Sequence, residues 1–131
     1  QNETLRVALD MTEEWDKATD GASGLTMGCV VVRPEFAQQN KEALDLFLDE
    51  YERSVQTVTS AEGLEHAAQL AEQYNIVKAP VARKAIPACN IVFVQGEQMQ
   101  QIAGGFLEVL YQANPKSVGG KLPDANFYYN R

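Results

Sequence analysis

The sequence predicts an α/β fold in which helices dominate and a few short strands occur. The strongest strand signal is Leu25–Val32, an apolar stretch that ends in three consecutive valines and suits a strand buried on both faces of a parallel sheet. Two amphipathic segments follow, Lys41–Thr57 and Ala61–Tyr74, and their apolar spacing predicts helices that flank such a sheet. Thr59 and Glu62 have a capping-box spacing that opens the second helix.

Two shorter strands complete the predicted sheet content. Leu5–Leu9 alternates apolar residues with polar or small ones, and Asn90–Val94 is apolar and β-branched, as is typical of strands. After the first of them, Asp10 stands three residues before Glu13. That spacing is again a capping box and predicts a short helical turn over Thr12–Lys17.

Prolines and apolar periodicity predict three further helices. These cover Pro34–Gln38, Pro80–Ala85 and Glu97–Asn114. The last one contains Gly104-Gly105 in its middle, which costs about 1 kcal/mol per glycine relative to alanine. The pair therefore indicates either close contact with another backbone or a kink in the helix.

The composition excludes several classes of partner. The 131 residues are enough for one domain, and their net charge is -7 with a sequence pI near 4.6. An acidic chain of this kind repels the phosphates of nucleic acids and anionic membrane surfaces. No apolar run approaches the roughly 20 residues that a membrane-spanning helix needs.

The polar residues do not form a catalytic or metal-binding pattern. His66 is the single histidine, lies away from the apolar stripe of its predicted helix, and has no Ser–His–Asp signature around it. One histidine and two distant cysteines do not favour a zinc site. The acidic stretch Asp16–Gly21 lacks a side-chain oxygen at Ala18, where a calcium loop needs one. The sequence therefore predicts no enzyme, no metal and no cofactor.

Cys29 and Cys89 are the two cysteines. Cys29 falls inside the predicted apolar strand, which favours a structural role over a reactive one. Two interpretations stay open for the pair, namely free thiols or one disulfide, and a disulfide would suit an exported protein. Sequence spacing does not decide between them, because bridging depends on the separation of the two Cα atoms.

Trp15 is the only tryptophan, and it stands among acidic residues close to Thr12. A tryptophan in a polar segment can form a stacking wall for a ligand in a cleft. It can equally be an apolar plug between loops, which is the interpretation that the residues favour. Trp15 and Thr12 are the candidate ligand-binding residues of the chain.

The strongest functional signal is the order of several segments rather than any one motif. The segments are Val30–Arg33, Pro34–Phe36, Asn40–Tyr51, Ala61–Tyr74, Gly119–Asp124 and Phe127–Tyr129. In this order they resemble the C-terminal part of the solute-binding proteins of ABC importers of the nitrate, sulfonate, taurine and pyrimidine-precursor type. The similarity covers nearly the whole chain, and its tail resembles a Firmicute-type lipoprotein branch.

The resemblance implies a type II periplasmic-binding fold, in which two lobes close on a small solute and present it to the permease. Residues 1–24 would form the end of the second lobe and a hinge segment, and residues 25–131 the C-terminal part of the first lobe. The protein would be extracytoplasmic and anchored through a segment that precedes this chain. Half of such a fold exposes surface that is normally covered, which predicts a homo-oligomer or a strand-swapped dimer.

A second hypothesis is a free-standing helical interaction module, which would bind a partner through its amphipathic helices. Gene context separates the two hypotheses. The importer hypothesis predicts an export signal upstream and neighbouring permease and ATPase genes. The module hypothesis predicts a complete gene of about this size without an export signal.

Overall fold

The computed structural model describes residues 6–131, and all regular secondary structure in that range is helical. The α-helices are α1 (Met11–Thr19), α2 (Pro34–Gln39), α3 (Lys41–Thr59), α4 (Leu64–Gln73), α5 (Ala79–Ala85) and α6 (Gly96–Ala113). Short 3₁₀ segments occupy Ile86–Ala88, Pro115–Val118 and Ala125–Phe127.

The predicted α/β fold, a helix-dominated fragment of a type II periplasmic-binding fold with short strands, is wrong. No strand is assigned between residues 6 and 131, and both Leu25–Val32 and Asn90–Val94 lack regular secondary structure. A strand needs a hydrogen-bonded neighbour, and residues 25–32 form no backbone hydrogen bond with any described residue. The predicted strand Leu5–Leu9 begins outside the described residues, and its remaining part is neither helix nor strand.

Burial of the valine-rich stretch was also wrongly predicted. Met27 is 88% exposed and Val31 is 80% exposed. Apolar β-branched residues indicate that a segment favours a covered, pleated surface, but they do not supply the cover. The stretch therefore has the composition of a buried strand but is exposed to solvent.

The predicted helices, in contrast, are confirmed to within a few residues. Pro34 lies in the first turn of α2, as expected from its fixed φ angle and missing N–H. The periodicity assigns Leu44, Phe47, Leu48, Tyr51 and Val55 to the apolar face of α3. Of these, only Leu44 and Val55 are buried, and Phe47 and Tyr51 are exposed. The helix predictions hold because helical periodicity is a local property that repeats at every turn of a long segment.

The start of α4 differs from the prediction, because Thr59 does not cap it. Thr59 is the last residue of α3, and its Oγ1 donates a hydrogen bond to the Val55 carbonyl at 2.8 Å. Ser60 forms the side-chain hydrogen bonds at this position instead. Its Oγ donates to the Thr57 carbonyl and accepts the Gly63 N–H, each at 2.9 Å. The turn from Ser60 to Gly63 therefore separates α3 from α4.

The described chain divides into two compact units. The central unit is Val32–Phe93, and the terminal unit combines the residues up to Val31 with Val94–Arg131. The predicted lobe boundary after residue 24 concerns a larger two-lobed protein and stays a prediction.

The core of the central unit is a hairpin of α4 and α5 that packs through alanines. Ala68 is 0% exposed and Ala82 is 2% exposed, and the cluster also contains Ala79, Ala71 and Ile86. Small side chains allow the two helix backbones to approach closely, so the contact depends on shape rather than on a large buried area.

The terminal unit is built on α6, where Gly105 faces the loop residues Ala22 and Ser23. A Cβ atom at Gly105 would lie 3.4 Å from the Ser23 side chain and 3.6 Å from the Ala22 carbonyl. These are ordinary van der Waals distances, so the contact does not require glycine, and the close approach expected of the double glycine stays a prediction. Helix α6 continues through the pair without interruption.

Candidate functional site

Thr12 lies in the first turn of α1, at an exposed position. The helix starts after Asp10, whose carboxylate accepts the N–H groups of Thr12 at 2.9 Å and Glu13 at 3.3 Å. Such a cap satisfies backbone donors that have no partner within the helix. The Asp10 capping prediction is thereby confirmed, and Thr12 is held in place by its backbone.

Trp15 follows one turn later and is half-buried within the terminal unit. Its Nε1–H donates to the Ser23 carbonyl at 2.9 Å, and its ring lies 5.1 Å from that of Phe106 with an interplanar angle of 42°. Tilted aromatic pairs at this distance are favourable. Trp15 thus packs a loop against α6 in the manner of a plug, and ligand contact by Trp15 and Thr12 stays a prediction.

Cys29 and Cys89 are both free and exposed. The exposure of Cys29 corrects the expected burial, because the strand that would have buried it does not form. The two cysteines belong to different units, and their pairing in a disulfide stays a prediction.

His66 is exposed on α4 and lines an open groove of the central unit together with Glu50, Arg53 and Thr57. Within residues 6–131, no three His, Cys, Asp or Glu side chains converge in a way that could hold a metal ion. In the same range, no helix combines the length and the apolar character that a bilayer crossing requires.

Two ionic contacts fasten α5 to α4 in the central unit. Arg83 donates two hydrogen bonds to the Glu65 carboxylate, from Nε at 2.6 Å and from Nη2 at 2.7 Å. Glu72 accepts from Lys78 Nζ at 2.9 Å and from the N–H of Ala79 at 3.1 Å. A carboxylate at the first residue of a helix also interacts favourably with the helix dipole, so Glu72 caps α5 from the neighbouring helix.

These contacts shift the protonation of the groups involved. The hydrogen bonds from Arg83 hold the pKa of Glu65 below its ordinary value, and those from Lys78 and then Ala79 do the same to the pKa of Glu72. The Glu65 carboxylate raises the pKa of Arg83 in return. Because both pairs face solvent, each contributes less to stability than a buried pair would.

The hairpin should lose stability in acid. Since the pKa of both carboxyl groups is lowered on folding, their contribution is complete above the ordinary value of 4.5 and is lost as the pH falls through the folded values. We expect the thermal midpoint of the wild type to fall between about pH 5 and pH 3 more steeply than that of the double variant Glu65→Gln/Glu72→Gln.

The control for this experiment is Asp16→Asn, which removes an exposed carboxylate from the second half of α1, away from the first turn of a helix. Its thermal midpoint should follow the wild-type pH dependence. Equal acid sensitivity of the double variant and the wild type would contradict the assigned role of the two carboxylates.

A groove lies beside the end of α3 in the central unit, with a volume of about 420 Å³. The residues that line it are Val58, Thr59, Ser60, Ala61, Leu64, Ile86, Pro87, Asn90 and Ile91. None of these side chains carries a charge, and most are apolar. Three of the lining residues, Thr59, Ser60 and Asn90, are polar, and the groove is open to solvent.

Neither the groove nor the ionic contacts follow from the sequence. Glu65 and Arg83 are 18 positions apart, so no helical spacing relates them. The groove is lined by the end of α3 and by a coil some 30 residues later in the chain. The one related signal in the sequence is Pro80, which predicts the start of α5, the second helix of the hairpin.

Comparison of the chain with protein-family models, with curated proteins and with solved structures found no match.

Proposed function

We propose that this chain is a segment of the substrate-binding component of an ABC-type importer, which captures a small solute outside the membrane and delivers it to the permease. The observation that carries the proposal is the order of the helices after Arg33. There α2 begins at Pro34, α3 carries Phe47 and Tyr51, and α4 is rich in alanine, in the order that the resemblance implies. The proposal concerns function alone and does not include the type II fold.

Exposed apolar surface gives further support, because a segment of a larger assembly has surface that its neighbours would cover. Met27 is 88% exposed, Val31 is 80% exposed and Ile76 is 77% exposed. Among the described residues no large hydrophobic side chain is fully buried. Self-association of the chain as a homo-oligomer or strand-swapped dimer stays a prediction.

The proposal is tested on the gene and on the protein it encodes. We expect the open reading frame that contains these residues to encode an export signal, beside genes for a permease and an ATPase. The encoded protein should then show a raised thermal midpoint with one member of a panel of nitrate, taurine, alkanesulfonates and pyrimidines, since a ligand that binds only the native state stabilises it. A reading frame of about this size with no export signal and no transport genes nearby would contradict the proposal.

The second candidate is the helical interaction module, and the aromatic surface of α3 favours it. The rings of Phe47 and Tyr51 are stacked with their centroids 5.8 Å apart, and the Phe93 ring meets that of Tyr51 edge-on at a centroid distance of 5.7 Å. Phe47 is 46% exposed and Tyr51 is 37% exposed. Exposed aromatic side chains are enriched among the residues that dominate protein–protein binding, so this surface would be the contact in the module hypothesis.

A further inference from the structure

We draw no further inference here: the strongest candidate, the exposed apolar stretch Met27–Val31 of the terminal unit, is a surface patch that forms no backbone hydrogen bond with any residue between 6 and 131, and nothing in that part of the chain shows what covers it.

Discussion

Replacement of Gly63 by alanine is expected to lower the free energy of unfolding of the central unit by about 1–3 kcal/mol, the usual cost of forcing an extra methyl group into a packed position. The backbone angles of Gly63, φ -84° and ψ -18°, suit any residue, so the penalty is one of space. A Cβ atom at this position would overlap the carbonyl oxygen of Thr57 and lie 2.9 Å from Ser60 Oγ. The Thr57 carbonyl belongs to the last turn of α3, and Ser60 begins the turn that joins α3 to α4. Chemical denaturation followed by circular dichroism measures the loss.

Gly28→Ala is the matched control for that substitution. A Cβ atom at Gly28 would have no neighbour within 4 Å, and its φ angle is not in the left-handed region. Its stability should stay within about 0.5 kcal/mol of the wild type, as for most surface changes. Unchanged stability of Gly63→Ala would show that the turn can move away from the new methyl group, against the geometry described here.

Enlargement of Ala68 to leucine is expected to separate α4 from α5 and to destabilise the central unit by about 1–3 kcal/mol. Ala68 is 0% exposed and lies in the alanine cluster with Ala79 and Ala82. The added carbon atoms have no free space there, and in a closely packed interior they must displace a neighbouring backbone. The hydrogen bonds from Arg83 to Glu65 should lengthen at the same time, since they join the same two helices.

Ala85→Leu is the control for this second substitution, because Ala85 is exposed on α5. Leucine and alanine are both good helix formers, so this variant should unfold with a midpoint close to that of the wild type. Two readouts distinguish local from general effects. These are the denaturation midpoint and the amide-exchange protection of α4 and α5. An Ala68→Leu protein with wild-type values in both would disprove the close alanine contact.

The helices of this protein could be predicted from its sequence because their signals are local. The apolar steps along α3 identify the helix and its apolar face, although only Leu44 and Val55 of that face are buried. Pro34 and Pro80 mark the first turns of α2 and α5. The one wrong helix start has a local cause as well. The Thr59 hydroxyl donates a hydrogen bond to the Val55 carbonyl. Thr59 is therefore the last residue of α3, although it was expected to cap the next helix.

The sheet could not be predicted reliably, because a strand depends on a second segment that the first does not specify. Leu25–Val32 has the composition of a buried strand, yet none of the described residues pairs with it. Site prediction met the same difficulty. Trp15 was recognised as an unusual residue, but its contacts with Ser23 and Phe106 join positions 8 and 91 residues away.

The unpaired stretch from residue 25 to 32 also bears on how the isolated chain behaves at high concentration. Short windows that are rich in β-branched residues and free of charge and proline tend to stack between molecules as fibrils, and Met27–Val32 is such a window. Arg33 and Pro34 follow it directly, and a charge and a proline in that position act as gatekeepers against intermolecular stacking. Arg33 and Pro34 are therefore expected to limit self-association at the border of this unpaired segment.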